Sequence, residues 1–579
     1  MCQYCGLDLA YSDYFNSIPT EPKTFVGAAT PAPVPNFFRL KKKKPQPELQ
    51  PIARMVNPKL TAQQVEGFTS ALSPGAQVLT AESGQAYRAA LRRWSGGAEK
   101  LAQVVVKPAC AEDVSKAILF ARGHNLRLTA KCGGHSPDGC SSSEGGLVVD
   151  MGLMRSVHVK PDEKLAIVEG GAQWMDVNKA TAEYGLAVVG GTSSHVGVAG
   201  VTLHGGYGFL TGEYGLACDN VVSAEVVTAD GMVLTASKGE NPDLFWALRG
   251  AGNRFGIVTK VRVFWLIVSD NETFGFKTLL QFVFRAHPQP NEVWAGPLVF
   301  PSEKVENVVE AMNEWYSKGD PKAAAALILG KGPNDMVESY VTECVVSLLN
   351  YYLVMAYKYN FSLYFPLAIP HQPAVIVFCF YNGATASALT SFAPFLALNP
   401  FSNTAASVPY WRAQNLLDDP PPYSTPDHIR FCSLNFRPPL SPPHIRLCLI
   451  SLSKLHKAVP RADKTGMFVL CVQPDGITKL KKQDTAFPWR DRNFDGVVGA
   501  RWSVGGEKDD REKDEETRVK VVEYQEALRK LAVEGGDDFR LYSNHEDHRG
   551  SVAREFGVNY GRIRELKRKW DPEGVFMKF

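Results

Sequence analysis

The sequence predicts an α+β protein of two domains, and three observations carry that expectation. Between about 100 and 262, short apolar strands alternate with amphipathic helices, and glycines mark the changes. From about 284 to 500, a second region carries a long helix, Ser302 to Lys318, and continuous apolar runs that read as buried strands. From Glu515 the chain ends in a charged helix (Glu516 to Leu531), the segment Leu541-Tyr-Ser-Asn-His, and a basic helix stopping at Trp570-Asp-Pro.

Taken in order, residues 1–55 stand apart. They carry Pro19, Pro22, Pro31, Pro33, Pro35, Pro45, Pro47 and Pro51, a Lys41–Lys44 run, and no apolar period, so a disordered leader is expected. Organised sequence begins after Met55, with Thr61 placed to cap a short helix. Val104-Val-Val-Lys-Pro is a strand, and Ala111 to Arg122 a helix ending before Gly123. Leu126-Arg-Leu-Thr-Ala is the next strand, followed by the turn Cys132-Gly-Gly-His-Ser. Gly146-Leu-Val-Val-Asp-Met and Leu165-Ala-Ile-Val-Glu are further strands, and Trp174 to Tyr184 is a helix stopped at Gly185. This mixture favours α+β over a single wound sheet. In the second region, Ala374-Val-Ile-Val-Phe-Cys-Phe-Tyr and Met467-Phe-Val-Leu-Cys-Val are the clearest strands.

Three segments break the pattern: 264–282, the tyrosine- and leucine-rich 335–370, and 420–450, with eight prolines in its first 24 positions. Cys344 to Tyr357 is largely apolar but shorter than the roughly 20 residues of a membrane span, and Glu343, Asn350 and Lys358 lie in or beside it. No membrane association is expected. All three segments, together with the leader, read as foreign to the fold, of the kind that retained intron or a misplaced start introduces. A transcript encoding them without interruption would end that idea.

The chain has 579 residues, 45% hydrophobic and 21% charged, with a formal net charge of +3. This balance suits a globular protein of two or three domains, and a field so small does not steer the chain to nucleic acid or anionic lipid. Cys2 and Cys5 form one CxxC without a second pair at zinc-ligand spacing, so no metal site is expected, and eleven cysteines are an odd number for a disulfide framework. The first residues lack a basic start and an apolar run, so no signal peptide is apparent and a cytoplasmic location is the default.

The chemistry lies in glycine. In Lys131-Cys-Gly-Gly-His-Ser, two glycines after a strand let backbone N–H groups turn around an anion, and Ser136 adds a donor. Alone, this is a polar turn with a solvated histidine. A second run, Val189 to Gly208, holds seven glycines in twenty residues, a density that makes sense where backbone must lie against a large flat ligand and its phosphates. Gly206-Tyr-Gly and Gly250-Ala-Gly each begin like a dinucleotide fingerprint, but neither reaches its third glycine at the right offset.

The order GGHS, then GG-x(5)-GxxG-x(4)-GGxG, then CDNVVSAEVVTADG, then RGAGNRFGIVT resembles the FAD-binding domain of the vanillyl-alcohol-oxidase (PCMH) type. Tyr542-Ser-Asn and Phe556-Gly-Val-Asn-Tyr-Gly-Arg to Trp570-Asp-Pro-Glu-Gly-Val-Phe resemble the closing segment of berberine bridge enzyme-like proteins. The resemblance spans about 60–579 apart from the three interruptions. It implies a bipartite FAD domain, 60–263 plus 515–579, flanking a substrate domain, 284–514, built on an antiparallel sheet covered by helices.

The resemblance also assigns residues. It implies that His135 bonds covalently to the flavin ring methyl, and that Lys131, Cys132, Gly133, Gly134 and Ser136 form the pyrophosphate turn. Gly190, Gly191, Ser194, Gly197, Gly200, Thr202 and Gly206 fall in a second cradle, Ile257 or Val258 beside the adenine half, and Asn544 and Asn559 where the C-terminal segment closes over the cofactor. Ser193 stands where bicovalent members have cysteine. A hydroxyl is a far poorer nucleophile than a thiolate, so one covalent bond is expected. His204 and Ala251 replace usual glycines. Tyr542 is the implied catalytic base; a core tyrosine with a satisfied hydroxyl is the alternative. Arg490, Asp491 and Trp502 are candidates to line the pocket.

The implied reaction passes hydride from a hydroxyl- or amine-bearing small molecule to FAD and then electrons to O2, giving hydrogen peroxide. Two rivals stay open: a dehydrogenase using another acceptor, and a chain inactivated by its interruptions.

Overall fold

The computed structural model describes residues 59–260, 282–289, 292–331, 373–418, 427–503, 510–532, 541–545 and 552–576. All lie in one compact unit, Val56–Phe579. The leader, most of 264–282, and 335–370 lie outside the described residues.

Local signals set the first elements. Thr61 caps the helix Ala62–Ala71 reciprocally: its hydroxyl accepts the Gln64 N–H at 3.2 Å and its own N–H donates to Gln64 Oε1 at 2.8 Å. β1 (Gln77–Leu79), β2 (Val104–Lys107), β3 (Leu128–Lys131) and β4 (Leu147–Asp150) form a sheet ordered β1-β2-β4-β3, in which β2 and β3 run parallel to β4. The helix Ala111–Gly123 makes the crossover from β2 to β3, burying Val114, Ala117, Ile118 and Ala121.

A second sheet follows from β5 (Val157–Lys160), β6 (Leu165–Val168), β7 (Leu186–Val188), β8 (Val221–Val227), β9 (Val233–Ser237), β10 (Ile257–Lys260) and β11 (Phe282–Pro288). Its ladder, β10-β8-β11-β6-β5, is antiparallel. β11 corrects the expected domain boundary. It pairs with β6, β7 and β8, so residues 284–288 complete the first domain rather than open the second.

The third sheet is built from β12 (Val293–Pro301), β13 (Ala323–Lys331), β14 (Pro373–Tyr381), β15 (Ser402–Asn403), β16 (Ala406–Val408), β17 (His428–Phe436), β18 (Gly466–Val472) and β19 (Phe494–Trp502). Alternation along β14 explains its unbroken apolar run. Val375, Val377 and Cys379 face a core roofed by the helices Val305–Ser317 and Pro442–Ala458, while Ile376, Phe378 and Phe380 pack with Phe209, Leu210 and Phe487 on the other face. Both faces are buried, as an antiparallel sheet between helices and a second domain requires.

Two further expectations are corrected here. Most of 420–450 belongs to the fold: β17 pairs with β19 over nine residues, and Ile445, Cys448 and Leu449 are buried in the core. Its prolines mislead because Pro442 and Pro443 open a helix, where a missing N–H is harmless. The charged helix runs Asp510–Ala532, and its Leu528 and Ala532 join the same core while Gln525 bonds to Arg430 O and Val498 O. It therefore roofs the third sheet. The return to the first domain comes later, where Phe556, Ile563 and Leu566 pack with Phe245 and Leu248.

Candidate cofactor and active site

The two glycine turns meet back to back. β3 ends at Lys131, and Gly134, at φ +68°, reverses the chain to deliver His135. A Cβ on Gly133 would lie 2.6 Å from Gly197 N, and one on Gly197 as close to Gly133 N, so neither position has room for a side chain. The second run is tied to the helix Trp174–Ala182: Trp174 N–H donates to Val196 O at 3.1 Å and Met175 N–H to Ser194 O at 2.8 Å. Gly190 and Gly191 lie against the Trp174 ring. Gly200 is exposed, with open space where a Cβ would project.

Two rings contact His135. Its ring stacks on Trp94 at 4.3 Å and 17°, and His195 lies 4.6 Å away at 51°. Among the described residues, the buried Nε2 of His135 has no hydrogen-bond partner. Burial, then the neighbouring His195, hold its pKa well below the usual 6.5, so the ring is a neutral imidazole with an available lone pair. His195 is itself anchored, Nδ1 lying 3.2 Å from Asp418 Oδ1. Ser194 fixes that carboxylate with its N–H, 2.9 Å from Oδ1, and with its hydroxyl on Oδ2. Beside them, Gln414 donates to Gly191 O at 2.7 Å and accepts from Asn178.

A cavity of about 270 Å³ opens next to the first turn. Arg92, Lys107, Lys131 and Arg155 bring positive charge to its wall, with Cys132 and Gly133 beside them. Lys131 pairs with the buried Asp150 at 3.0 Å, and Arg155 with Asp176 at 2.7 Å. The Cys132 thiol donates to Ala172 O at 3.3 Å, and burial pushes its pKa up to about 11. Ser136 turns its hydroxyl to Asp138. The buried Thr202 hydroxyl has no partner among the described residues, and Ser193 is half-buried beside Ser194. The His204 imidazole lies against its own helix, Nδ1 2.7 Å from Gly200 O.

Tyr542 lies across the second run on the face of the third sheet turned away from its helices. Its hydroxyl accepts the Gly206 N–H at 3.2 Å and Asn544 Nδ2–H at 2.7 Å, and Tyr207, Phe487 and His545 enclose the ring edge to face. Burial and then the charge of Asp495 raise its pKa, against the pull of Asn544.

Other sequence candidates stand further back. Asn559 commits its amide N–H groups to Lys482 O, Thr485 O and Ala486 O, stapling the loop that carries Phe487. Ile257 and Val258 are buried in β10 and join two separate apolar cores. The pocket-lining expectation is corrected for Arg490 and Trp502. Arg490 is buried in a two-pronged ion pair with Asp219, and Trp502 sits in a cluster with Leu455, Val459 and Val521, donating Nε1–H to Asp514. Trp94, Asp418 and Gln414 are near the site but carry no local signature. Only His195 had a flag, standing inside the glycine run.

An FAD molecule fits these residues: a cationic cavity beside paired turns suits a diphosphate, and the orphaned Nε2 of His135 suits a bond to the ring. Residues 102–237 match the family described as FAD binding domain, and residues 542–578 match Berberine and berberine like. The chain is 29% identical over 522 residues to the FAD-linked oxidoreductase pgmH of Aspergillus terreus, covering 86% of this chain and 91% of that protein. It is 42% identical over 170 residues to the (R)-6-hydroxynicotine oxidase of Paenarthrobacter nicotinovorans, 29% of this chain and 37% of that one. The fold matches that of BBE-like 1 from Physcomitrella patens with a TM-score of 0.68 at 20% identity, over 89% of this chain and 97% of that chain. Among the described residues, no helix is long and apolar enough to cross a membrane. The chain is an FAD-dependent oxidoreductase of the berberine bridge enzyme-like family.

Proposed function

We propose that this chain holds FAD through one covalent bond at His135 and works as an oxidase on a hydroxyl- or amine-bearing small molecule, with O2 as electron acceptor and hydrogen peroxide as product. The observation that carries the reading is the neutral, clamped imidazole of His135 with its partnerless Nε2. Bound FAD supplies the hydride acceptor and the path of two electrons to oxygen.

The chain's part is to grip and orient. Lys131, Cys132, Gly133, Gly134 and Ser136 cradle the diphosphate, and Gly190, Gly191, Ser193, Ser194, Gly197, Gly200, Thr202 and Gly206 form the facing wall. Ile257 and Val258 support the adenine side, and Asn544 and Asn559 hold the closing segment. Cys132, with its thiol pushed up to about 11, stays protonated at neutral pH and does not compete with His135. Tyr542 acts as the phenolate. Gly206 N–H and Asn544 Nδ2–H, both donating to its oxygen, stabilise that charge against burial and Asp495, and the ionised oxygen then takes the substrate's hydroxyl or amine proton.

The oxidase reading is tested without knowing the substrate. Purified yellow protein is reduced anaerobically with dithionite and mixed with aerated buffer. An oxidase regains its colour rapidly with one peroxide per cofactor. Slow return under air, made fast by a quinone dye, would assign it to the dehydrogenases.

A further inference from the structure

The glycine turns explain where FAD lies, but not how an imidazole becomes a nucleophile at a buried site. Bonding joins one nitrogen of His135 to the ring methyl carbon. A methyl C–H and the imidazole N–H are lost as protons, and the displaced electron pair goes to dioxygen, which leaves as hydrogen peroxide. The step therefore needs His135 neutral and its ring held still.

Both needs are met by side chains rather than by the glycines themselves. Trp94 stacks on the ring, and the tilted His195 imidazole lies 4.6 Å from it. His195 is fixed by Asp418, a residue of the second domain, and Asp418 by both the N–H and the hydroxyl of Ser194. His195 is 4% exposed, so little solvent screens it from His135. We propose that His195, anchored by Asp418, is a positioning residue for attachment: it opposes protonation of His135 and holds the ring in register for the ring methyl.

The cations beside the Gly134 turn are already partnered. The turn itself offers Lys131, already paired with Asp150, and the adjacent strap offers Arg93, bonded to Ala90 O, Leu91 O and Ser141. From the second run His195, paired with Asp418, lies against His135 at a tilt of 51°. Burial, and then the neighbouring His195, hold the His135 ring in its neutral form.

This inference rests on covalent attachment at His135. Full-length apoprotein, made in a riboflavin auxotroph, is mixed with FAD in air. Colour that survives acid precipitation is followed in time across a pH series for the wild type, His195→Asn and Asp418→Asn. The wild type is expected to attach FAD at a steady rate well below pH 6.5. Both variants should bind FAD reversibly, yet attach it about tenfold more slowly near pH 6, their acid limb moved up by about one unit. An unshifted acid limb in variants that bind FAD overturns the proposal. So does a wild-type acid limb at the ordinary histidine value, about 6.5, which needs no variant at all. His135→Ala separates the two claims. If it keeps attached colour, the covalent reading fails; if it loses the colour while His195→Asn behaves as wild type, only the role of His195 fails.

Discussion

The hydroxyl of Tyr542 accepts a hydrogen bond from the backbone N–H of Gly206 at 3.2 Å, across 336 residues of sequence. That bond draws the C-terminal segment onto the second glycine run and places a phenol there, with Asn544 beside it.

Tyr542→Phe keeps the ring and its edge contacts with Tyr207 and Phe487 but removes the oxygen. Anaerobic reduction by substrate should slow by about 100- to 10,000-fold, the usual contribution of a positioned proton acceptor. Attached FAD should be unchanged, and the folding loss about 1–3 kcal/mol from two unpaired donors. A variant reduced at the wild-type rate leaves Tyr542 as a core tyrosine.

Gly133→Ala and Gly200→Ala should part company. At Gly133 the new Cβ meets Gly197 N at 2.6 Å, so the turns are forced apart, with a loss of about 1–3 kcal/mol and of bound FAD. At Gly200 the Cβ enters open space within the helix Val198–Leu203, and alanine should stabilise the apoprotein by about 0.5–1 kcal/mol. Its FAD affinity should nevertheless fall if that open face is the one turned to FAD, as proposed. Thermal melts with FAD titrations check both; unchanged affinity in Gly200→Ala removes that helix from the cradle.

Arg490 is read as architecture. Its guanidinium and Asp219 are both buried, at 1% and 8% side-chain exposure, so Arg490→Met leaves a carboxylate stranded, at about 3–5 kcal/mol. Adding Asp219→Leu should recover most of that loss in chemical denaturation. If the double variant stays as unstable as the single one, the pair is not what Arg490 provides.

His287 gives the fold an acid sensitivity. It stacks on Tyr214 at 3.7 Å, and burial, then Arg285 and Lys479, lower its pKa from 6.5 to about 4. The unfolded chain therefore takes up this proton first. The stabilisation is complete above pH 6.5 and drains away as pH falls towards 4, by at most about 3 kcal/mol. His287→Phe preserves the stack and should flatten Tm against pH in that window; an unaltered slope assigns the sensitivity elsewhere.

What the sequence disclosed was local, and what it withheld was long-range. The Thr61 cap, the strand Val104–Lys107 and the Gly134 turn follow from neighbouring residues, and all three are present. The role of 427–458 was hidden because prolines outside and at the start of a helix look the same in composition as prolines in a linker. Trp94 and Asp418 had no signal, since neither stacking on a ring 41 residues away nor ion pairing across more than two hundred leaves a spacing rule. Arg490 was misplaced for the same reason: its partner, Asp219, is 271 residues away.

The bond between His135 and FAD is tested most directly by precipitating purified protein with acid and scanning pellet and supernatant for flavin absorbance. Yellow colour that stays with the wild-type pellet and moves to the supernatant for His135→Ala is the expected result. Colour released from the wild type, or retained by His135→Ala, would contradict the assignment.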